Sequence, residues 1–208
     1  MGGEEIFVDP GTFAYHTEPE WRAYFRGTSA HNTLRVDGLD QSQPGGNFMW
    51  LRKAQAASSA WMTSADQDFL EAWHDGYMGL DDPVMHRRRT VVDKRARTVL
   101  VEDYVQMDGT HELELFFHCA EGSRVQAIAG GVSITRAGRT IRLRWPDLPG
   151  SHAEVLEGRT APIAGWVSRR LREARRPHHS LARHGHRRHH HPHGNGQDDG
   201  LHRLQPRR

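Results

Sequence analysis

The chain of 208 residues is 36% hydrophobic and 26% charged, which fits one globular domain of ordinary size with a substantial core. Its net charge of +2 averages two unlike parts: residues 172–208 hold 9 Arg against 3 acidic residues, whereas residues 1–171 hold 19 basic and 23 acidic residues. The body is therefore mildly acidic, and an argument for nucleic-acid binding rests on the tail alone. Because we find no long apolar run and no basic-then-apolar N-terminus, we expect neither a membrane span nor a signal peptide in this sequence.

The first 41 residues predict a strand, a loop, a short helix and a second strand. Residues 5–8 (EIFV) form the first strand, and residues 17–20 (TEPE) are typical of a capping box with proline at the start of a helix. Three aromatic residues at helical spacing follow, and Gly27 ends the helix. Residues 34–36 then alternate between apolar and polar, and Asp37-Gly38 is a strong hairpin-type turn.

From Phe48 onward the sequence predicts many short strands separated by turn signals. Cys119 falls in one of them and is predicted to be a small buried residue rather than a nucleophile. Six tryptophans, all before residue 167, supply bulk for a core between two sheets. We therefore predict an all-β fold, an antiparallel multi-stranded β-sandwich with one short helix near the N-terminus. The clearest predicted strands span residues 69–73, 84–92, 98–105, 111–118 and 139–145.

The C-terminal tail, residues 172–208, differs in composition from residues 1–171, which we take as the domain. It contains no Trp, Phe, Tyr, Val or Ile, so we predict that it is disordered. One hypothesis is that a frameshift produced this Arg/His-rich sequence. Its histidines suit Ni²⁺ or Zn²⁺, and its arginines would bind polyanions without specificity.

Asp9 and His31 are the candidate metal ligands in this chain. Asp9 closes the first predicted strand and His31 precedes the second, and carboxylate and imidazole are both zinc ligands. The alternative is structural: Asp9 caps a turn and His31 begins a strand. The residue pattern alone leaves both interpretations open.

Ordered motifs between about residue 5 and residue 171 resemble the C-terminal domain of the heparinase II/III-like polysaccharide lyases. The resemblance implies a β-sandwich that belongs to an enzyme cleaving uronic-acid-containing glycans by β-elimination. The residues that carry it are Asp9-Pro10-Gly11-Thr12, Trp21-Arg22, Tyr24-Phe25-Arg26-Gly27-Thr28, Ala30-His31-Asn32-Thr33, Val36-Asp37-Gly38, Asp40-Gln41-Ser42, His74-Asp75-Gly76-Tyr77 and His86-Arg87-Arg88.

The resemblance also implies a zinc ion held by Asp9 and His31. The family's third ligand comes from an upstream His-x-His element, and its acid and base groups lie mostly on an upstream α/α-toroid domain. We expect both to be missing here, because Met1 stands eight residues before Asp9. The proton-abstracting residue is therefore not assigned to this chain. Relatives are expected in the periplasm or cell envelope, whereas a chain without a signal is cytoplasmic by default.

His74, Tyr77 and Arg26 are the candidate substrate-binding residues. The two residues of the WHDGY turn either meet substrate at a cleft or serve hydrogen bonding and packing inside the sandwich. Arg26 either pairs with a sugar carboxylate or braces Asp9 or Asp37. We expect a sandwich fragment of a lyase for acidic polysaccharides, inactive alone. The alternatives are a non-catalytic carbohydrate-binding sandwich and a tail that binds polyanions or metals.

Overall fold

A computed structural model describes residues 3–169 and 176–188. The first regular element is helix α1 (Pro19–Arg26), a 3-10 turn at Thr28–Ala30 comes next, and strands follow to the end of the described chain. No helix in these residues is long and apolar enough to span a membrane. The strands are β1 (Leu34–Val36), β2 (Gln43–Pro44), β3 (Trp50–Arg52), β4 (Ala56–Thr63), β5 (Gln67–Tyr77), β6 (Val84–Asp93), β7 (Thr98–Gln106), β8 (Thr110–His118), β9 (Arg124–Ile128), β10 (Gly131–Arg136), β11 (Arg139–Arg144), β12 (His152–Glu157), β13 (Arg159–Thr160), β14 (Ile163–Ala164), β15 (Trp166–Val167), β16 (Arg176–Pro177) and β17 (His179–Arg188).

Three sheets form the body of the molecule. Sheet A has the order β1-β8-β17-β12, sheet B is the meander β4-β5-β6-β7, and sheet C has the order β11-β10-β9. The remaining strands form two-stranded ribbons, and the pairings between the named strands are antiparallel. The predicted all-β antiparallel sandwich with a single short helix is confirmed.

Two of the apolar clusters of the core pack against one face of sheet A, and a third cluster (Phe116, Leu156 and Ala182) lies on its other face. Val132 and Ile134 of sheet C pack with Leu181 of β17 and with Cys119, which is fully buried as predicted. At the other end of sheet A, β1 and β8 pack against the base of sheet B through a cluster of buried residues. That cluster contains Leu34, Val36, Tyr77, Val84 and Met107. Sheet A is thus the common layer against which sheets B and C are held.

The five clearest predicted strands are all present, within or as β5, β6, β7, β8 and β11. The Asp37-Gly38 turn is also confirmed, since both residues have positive φ (51° and 67°) and Leu39 N–H donates to Val36 O. The strand predicted at residues 5–8 is reduced to a single bridge between Phe7 and Cys119. This segment therefore runs beside the end of β8 without forming a full ladder.

The predicted capping box is wrong, although the helix itself is confirmed. Helix α1 starts at Pro19, its N-cap is Glu18 with φ 54°, and no side chain caps it. Pro19 occupies the first helical turn, so Thr17 lies one residue too early to be the cap. The C-terminal end follows the prediction, because the Gly27 N–H donates to Ala23 O and Tyr24 O.

The structure differs from the predicted disordered tail over residues 176–188. β17 pairs with β8 on one side and with β12 on the other, and Leu181 and Ala182 are buried. Low strand propensity is overridden here because hydrogen bonding on both edges and a tight fit of small residues order the backbone. The rest of the predicted tail, residues 172–175 and 189–208, lies outside the described residues.

Candidate metal centre

Asp9 and His31 are brought into direct contact. The His31 Nδ1–Asp9 Oδ2 distance is 2.6 Å, and Asp9 Oδ1 accepts a hydrogen bond from Gly11 N–H at 3.0 Å. Asp9 follows the buried Val8, and His31 ends the 3-10 turn at Thr28–Ala30. The hydrogen bond from His31 lowers the pKa of Asp9. Asp9 therefore caps a turn and also meets the imidazole, so the two interpretations of the sequence describe compatible roles.

The chemistry of this pair fits zinc, with a small rearrangement. Two ligands of one tetrahedral zinc ion lie about 3.3 Å apart when each bond is about 2.0–2.1 Å long. The present 2.6 Å contact between Nδ1 and Oδ2 would have to open by under about 1 Å for both atoms to bind one ion. In residues 3–169 and 176–188, no group of three or more His, Cys, Asp or Glu side chains is placed to hold a metal. The pair is thus a partial donor set.

The Asn32 side chain ties the segment before Asp9 to the end of β8. Its Nδ2 donates to the carbonyl of Val8, the residue before Asp9, at 2.9 Å. Its Oδ1 accepts from His118 N–H at 2.7 Å. Because Asn32 directly follows His31, a single side chain sets the separation of the Asp9 and His31 backbones.

A series of hydrogen-bonded polar side chains on one face of sheet B ends at Asn32, the residue after His31. His74 Nε2 lies 2.9 Å from His86 Nδ1, and His86 Nε2 lies 2.7 Å from Asp103 Oδ1. Arg88 binds the Asp103 carboxylate through two nitrogens at 2.7 and 3.0 Å, and its Nη1 donates to Asn32 O at 2.5 Å. The chain therefore links the WHDGY turn to the residue beside His31.

The hydrogen-bond partners determine the protonation of the two imidazoles in this chain. The N–H of Gly76 donates to His74 Nδ1 at 3.1 Å, so the proton of His74 is on Nε2 and points to His86. His86 Nδ1 must then accept, and its Nε2–H donates to Asp103. His74 is neutral in this arrangement. Burial, followed by the effect of nearby His86, lowers the pKa of His74 to about 4.

A second imidazole pair lies beneath the candidate metal centre. His118 Nε2 donates to Ser29 O at 3.0 Å, and His118 Nδ1 lies 3.0 Å from Nε2 of His178. Burial lowers the pKa of His118 to about 3 and that of His178 to about 4, so both rings are neutral near pH 7. The buried Nδ1 of His178 has no hydrogen-bond partner among the described residues.

The candidate substrate-binding residues are dispersed. Tyr77 is fully buried, and its hydroxyl donates to Leu39 O at 3.1 Å, so the packing alternative describes its position. Arg26 contacts neither Asp9 nor Asp37. Its guanidinium donates to the carbonyls of residues 46, 47 and 49 and lies 4.2 Å from the Trp50 ring centre. Its function in the structure is to hold the loop before β3 against α1.

Sequence reasoning missed the partners that support the pair. Asn32, His86 and Arg88 belong to the motifs that carry the family resemblance, but their mutual contacts depend on the register of β5, β6 and β7. The sequence carries one signal that could have identified Asp103: it lies on the same face of its predicted strand as Val99 and Val101. Burial alone would raise the pKa of Asp103, but hydrogen bonds from His86 and Arg88 outweigh burial and lower it.

Comparison with solved structures finds the same fold in two structures of heparan sulfate lyase HepC from Pedobacter heparinus, one of them a mutant. Each has a TM-score of 0.68 and 17% sequence identity, and the match covers 89% of this chain and 26% of the HepC chain. This chain therefore spans about a quarter of those structures. Among curated protein sequences, no match is found.

Comparison with protein families gives a match over nearly the whole described chain. The model described as Heparinase II/III-like, C-terminal, matches residues 1–192. That range includes Asp9, His31 and the strands of all three sheets. The chain therefore belongs to the heparinase II/III-like C-terminal domain family.

Proposed function

We propose that this chain is the sandwich part of a polysaccharide lyase that cleaves uronic-acid-containing glycans, and that Asp9 and His31 are two of its zinc ligands. The observation that carries the proposal is the direct contact between these side chains, 22 residues apart in sequence, at 2.6 Å. The family match and the HepC fold support an acidic polysaccharide as the substrate class.

In this proposal, the residues of this chain hold the site in place and do not transfer protons. Elimination needs a base for the C5 proton and positive groups that neutralise the neighbouring carboxylate. The histidines of the described core are engaged in hydrogen bonds to protein groups, so we assign none of them as the base. A bound zinc ion would supply fixed positive charge between the Asp9 turn and the His31 turn.

An assay for unsaturated uronate products tests the lyase part of the proposal. We expect this chain alone to give little or no increase in ultraviolet absorbance on alginate or heparan sulfate, because proton-transfer groups are expected on an additional domain. Robust turnover by the chain alone would contradict that expectation. The same chain joined to the toroid domain of a family member should recover turnover, and an Asp9→Ala change in that fusion should lower it.

Zinc-dependent thermal stability tests the metal part. Zinc should raise the melting temperature of the wild-type chain more than that of the His31→Ala variant, because a ligand that binds only the folded state stabilises it. The histidines beyond residue 188 are the same in both proteins, so the difference between them isolates the Asp9–His31 pair. Equal zinc-induced shifts in the two proteins would refute this assignment.

A further inference from the structure

The outer face of sheet B carries a cleft that is not part of the Asp9–His31 centre. Trp73, Arg87 and Tyr104 stand directly opposite one another on β5, β6 and β7, and Met85 stands opposite Gln106 in the next row. These five residues line a shallow cleft of about 320 Å³, within the usual size range of ligand sites. His74 and His86 belong to the other face of the same sheet, since side chains alternate along each strand.

Arg87 is the one cation in the lining of this cleft, and its donors are available. Its side chain is 47% exposed, and the nearest carboxylate, that of Glu71, is 3.9 Å away, beyond hydrogen-bond distance. The guanidinium lies 5.2 Å from the centre of the Tyr104 ring. None of its side-chain nitrogens is hydrogen-bonded to another described residue, so the planar fork remains free for an anionic ligand.

The neighbouring row of the same sheet shows a different arrangement. Arg89 stands between Glu71 and Glu102, with nitrogen–oxygen distances of 3.0 and 3.8 Å, and it also donates to the Tyr104 hydroxyl at 3.1 Å. Its charge is neutralised by its cross-strand neighbours. Arg87 instead stands between two aromatic rings, and its nearest carboxylate, that of Glu71, lies 3.9 Å away and is hydrogen-bonded to Arg89. The charge of Arg87 is therefore less fully compensated than that of Arg89, and both guanidinium groups lie over the ring of Tyr104.

We propose that this cleft binds a uronate-containing oligosaccharide, with Arg87 pairing bidentately with a sugar carboxylate and the rings of Trp73 and Tyr104 contacting the flanking sugars. Aromatic rings suit the apolar C–H faces of pyranoses, and an arginine fork matches a carboxylate. The backbone positions that carry the two rings are separated by two strand spacings, about 9–10 Å, which is comparable to the length of a disaccharide. Gln106 adds an amide that can bond a sugar hydroxyl.

The choice of ligand rests on the proposed function, but the site rests on the row Trp73–Arg87–Tyr104 alone. The test is calorimetric titration of the full chain with an unsulfated tetrasaccharide of alternating glucuronate and N-acetylglucosamine. Its carboxyl-reduced form is the neutral comparison ligand. The arginines and histidines of the C-terminal tail are common to all the variants, so non-specific attraction to the tail does not distinguish them.

We expect Arg87→Ala to weaken tetrasaccharide binding about tenfold and Arg87→Lys about threefold, because lysine keeps the charge and loses the fork. Arg142→Ala, which removes an exposed arginine from sheet C, should bind as tightly as wild type. The carboxyl-reduced ligand should bind about tenfold more weakly to wild type and show no loss with Arg87→Ala.

Three results would overturn the inference: wild-type affinity in Arg87→Ala with the fold intact by circular dichroism, equal affinity for the two ligands, or no binding to wild type. Each leaves the zinc-dependent stabilisation of the Asp9–His31 pair to be measured separately. Failure of the cleft is therefore distinguishable from failure of the proposed function.

Discussion

At the scale of single residues, the geometry of the candidate metal centre depends on Asn32. This side chain donates to the backbone next to Asp9 and accepts from the backbone of β8, while the backbone carbonyl of Asn32 accepts from Arg88. Asp9 is well exposed and His31 is partly exposed, so neither is held by burial. The amide of Asn32 is what allows two surface side chains to keep a defined separation.

We predict that Asn32→Ala lowers the free energy of unfolding by about 2–3 kcal/mol, because it leaves the His118 N–H without its partner and removes a second hydrogen bond. The same change should reduce the zinc-induced rise in melting temperature. Asn47→Ala, at an exposed position, should change stability by less than about 0.5 kcal/mol. Urea denaturation measures both variants, and equal midpoints for Asn32→Ala and wild type would contradict this role.

At the scale of elements, β17 shows the limit of prediction from sequence. β5 to β8 carry long alternating or β-branched runs, and their positions follow from that pattern. β17 (HSLARHGHRR) and β4 (AASSAWMT) carry little such pattern, yet each forms a ladder with a strongly patterned neighbour. The pairing of Asp9 with His31 was expected from the family resemblance, since the residue pattern alone left a structural role open. The His74–His86–Asp103 chain required the register between strands, which local sequence does not specify.

We predict that a chain ending at residue 171 fails to fold, whereas a chain ending at residue 188 folds like the full protein. Removal of β17 would leave the facing edges of β8 and β12 unpaired and would expose Phe116, Leu156 and Val132, which pack around it. Unpaired edges and open core favour aggregation. Circular dichroism and size-exclusion chromatography of the two truncated chains make the comparison. A soluble, cooperatively folded 1–171 chain would show that β17 is dispensable.

At the scale of the whole molecule, the fold is built around neutral imidazoles. His74, His118 and His178 lie between sheets or against β8, and burial lowers the pKa of each well below the ordinary histidine value of about 6.5. His111 differs: burial opposes its charge, but hydrogen bonds to Asp37 and Asp82 outweigh burial and raise its pKa. The stabilisation from His111 is present below about pH 6.5 and is lost as the pH rises.

We predict that acid destabilises the fold through the three buried histidines. Between about pH 6.5 and pH 4 the unfolded chain binds more protons than the folded chain at the three buried histidines, so the free energy of unfolding falls as the pH falls. His178 alone contributes on the order of 3 kcal/mol over this window. Urea midpoints at pH 7.0 and pH 4.5 test this.

The His178→Gln variant is the matched control for this pH dependence. Its amide N–H can still donate to His118, but the titrating ring is gone, so the drop in midpoint between pH 7.0 and pH 4.5 should be smaller than in wild type. An unchanged wild-type midpoint across the two pH values would contradict the assignment of neutral buried rings.

The most direct test of the central assignment is a crystal of this chain soaked in millimolar zinc salt, with diffraction recorded above the zinc absorption edge. We predict an anomalous peak about 2.0–2.2 Å from both a carboxylate oxygen of Asp9 and an imidazole nitrogen of His31, with the present 2.6 Å contact opened. Zinc peaks confined to other histidines, with the Asp9–His31 hydrogen bond intact, would contradict the assignment.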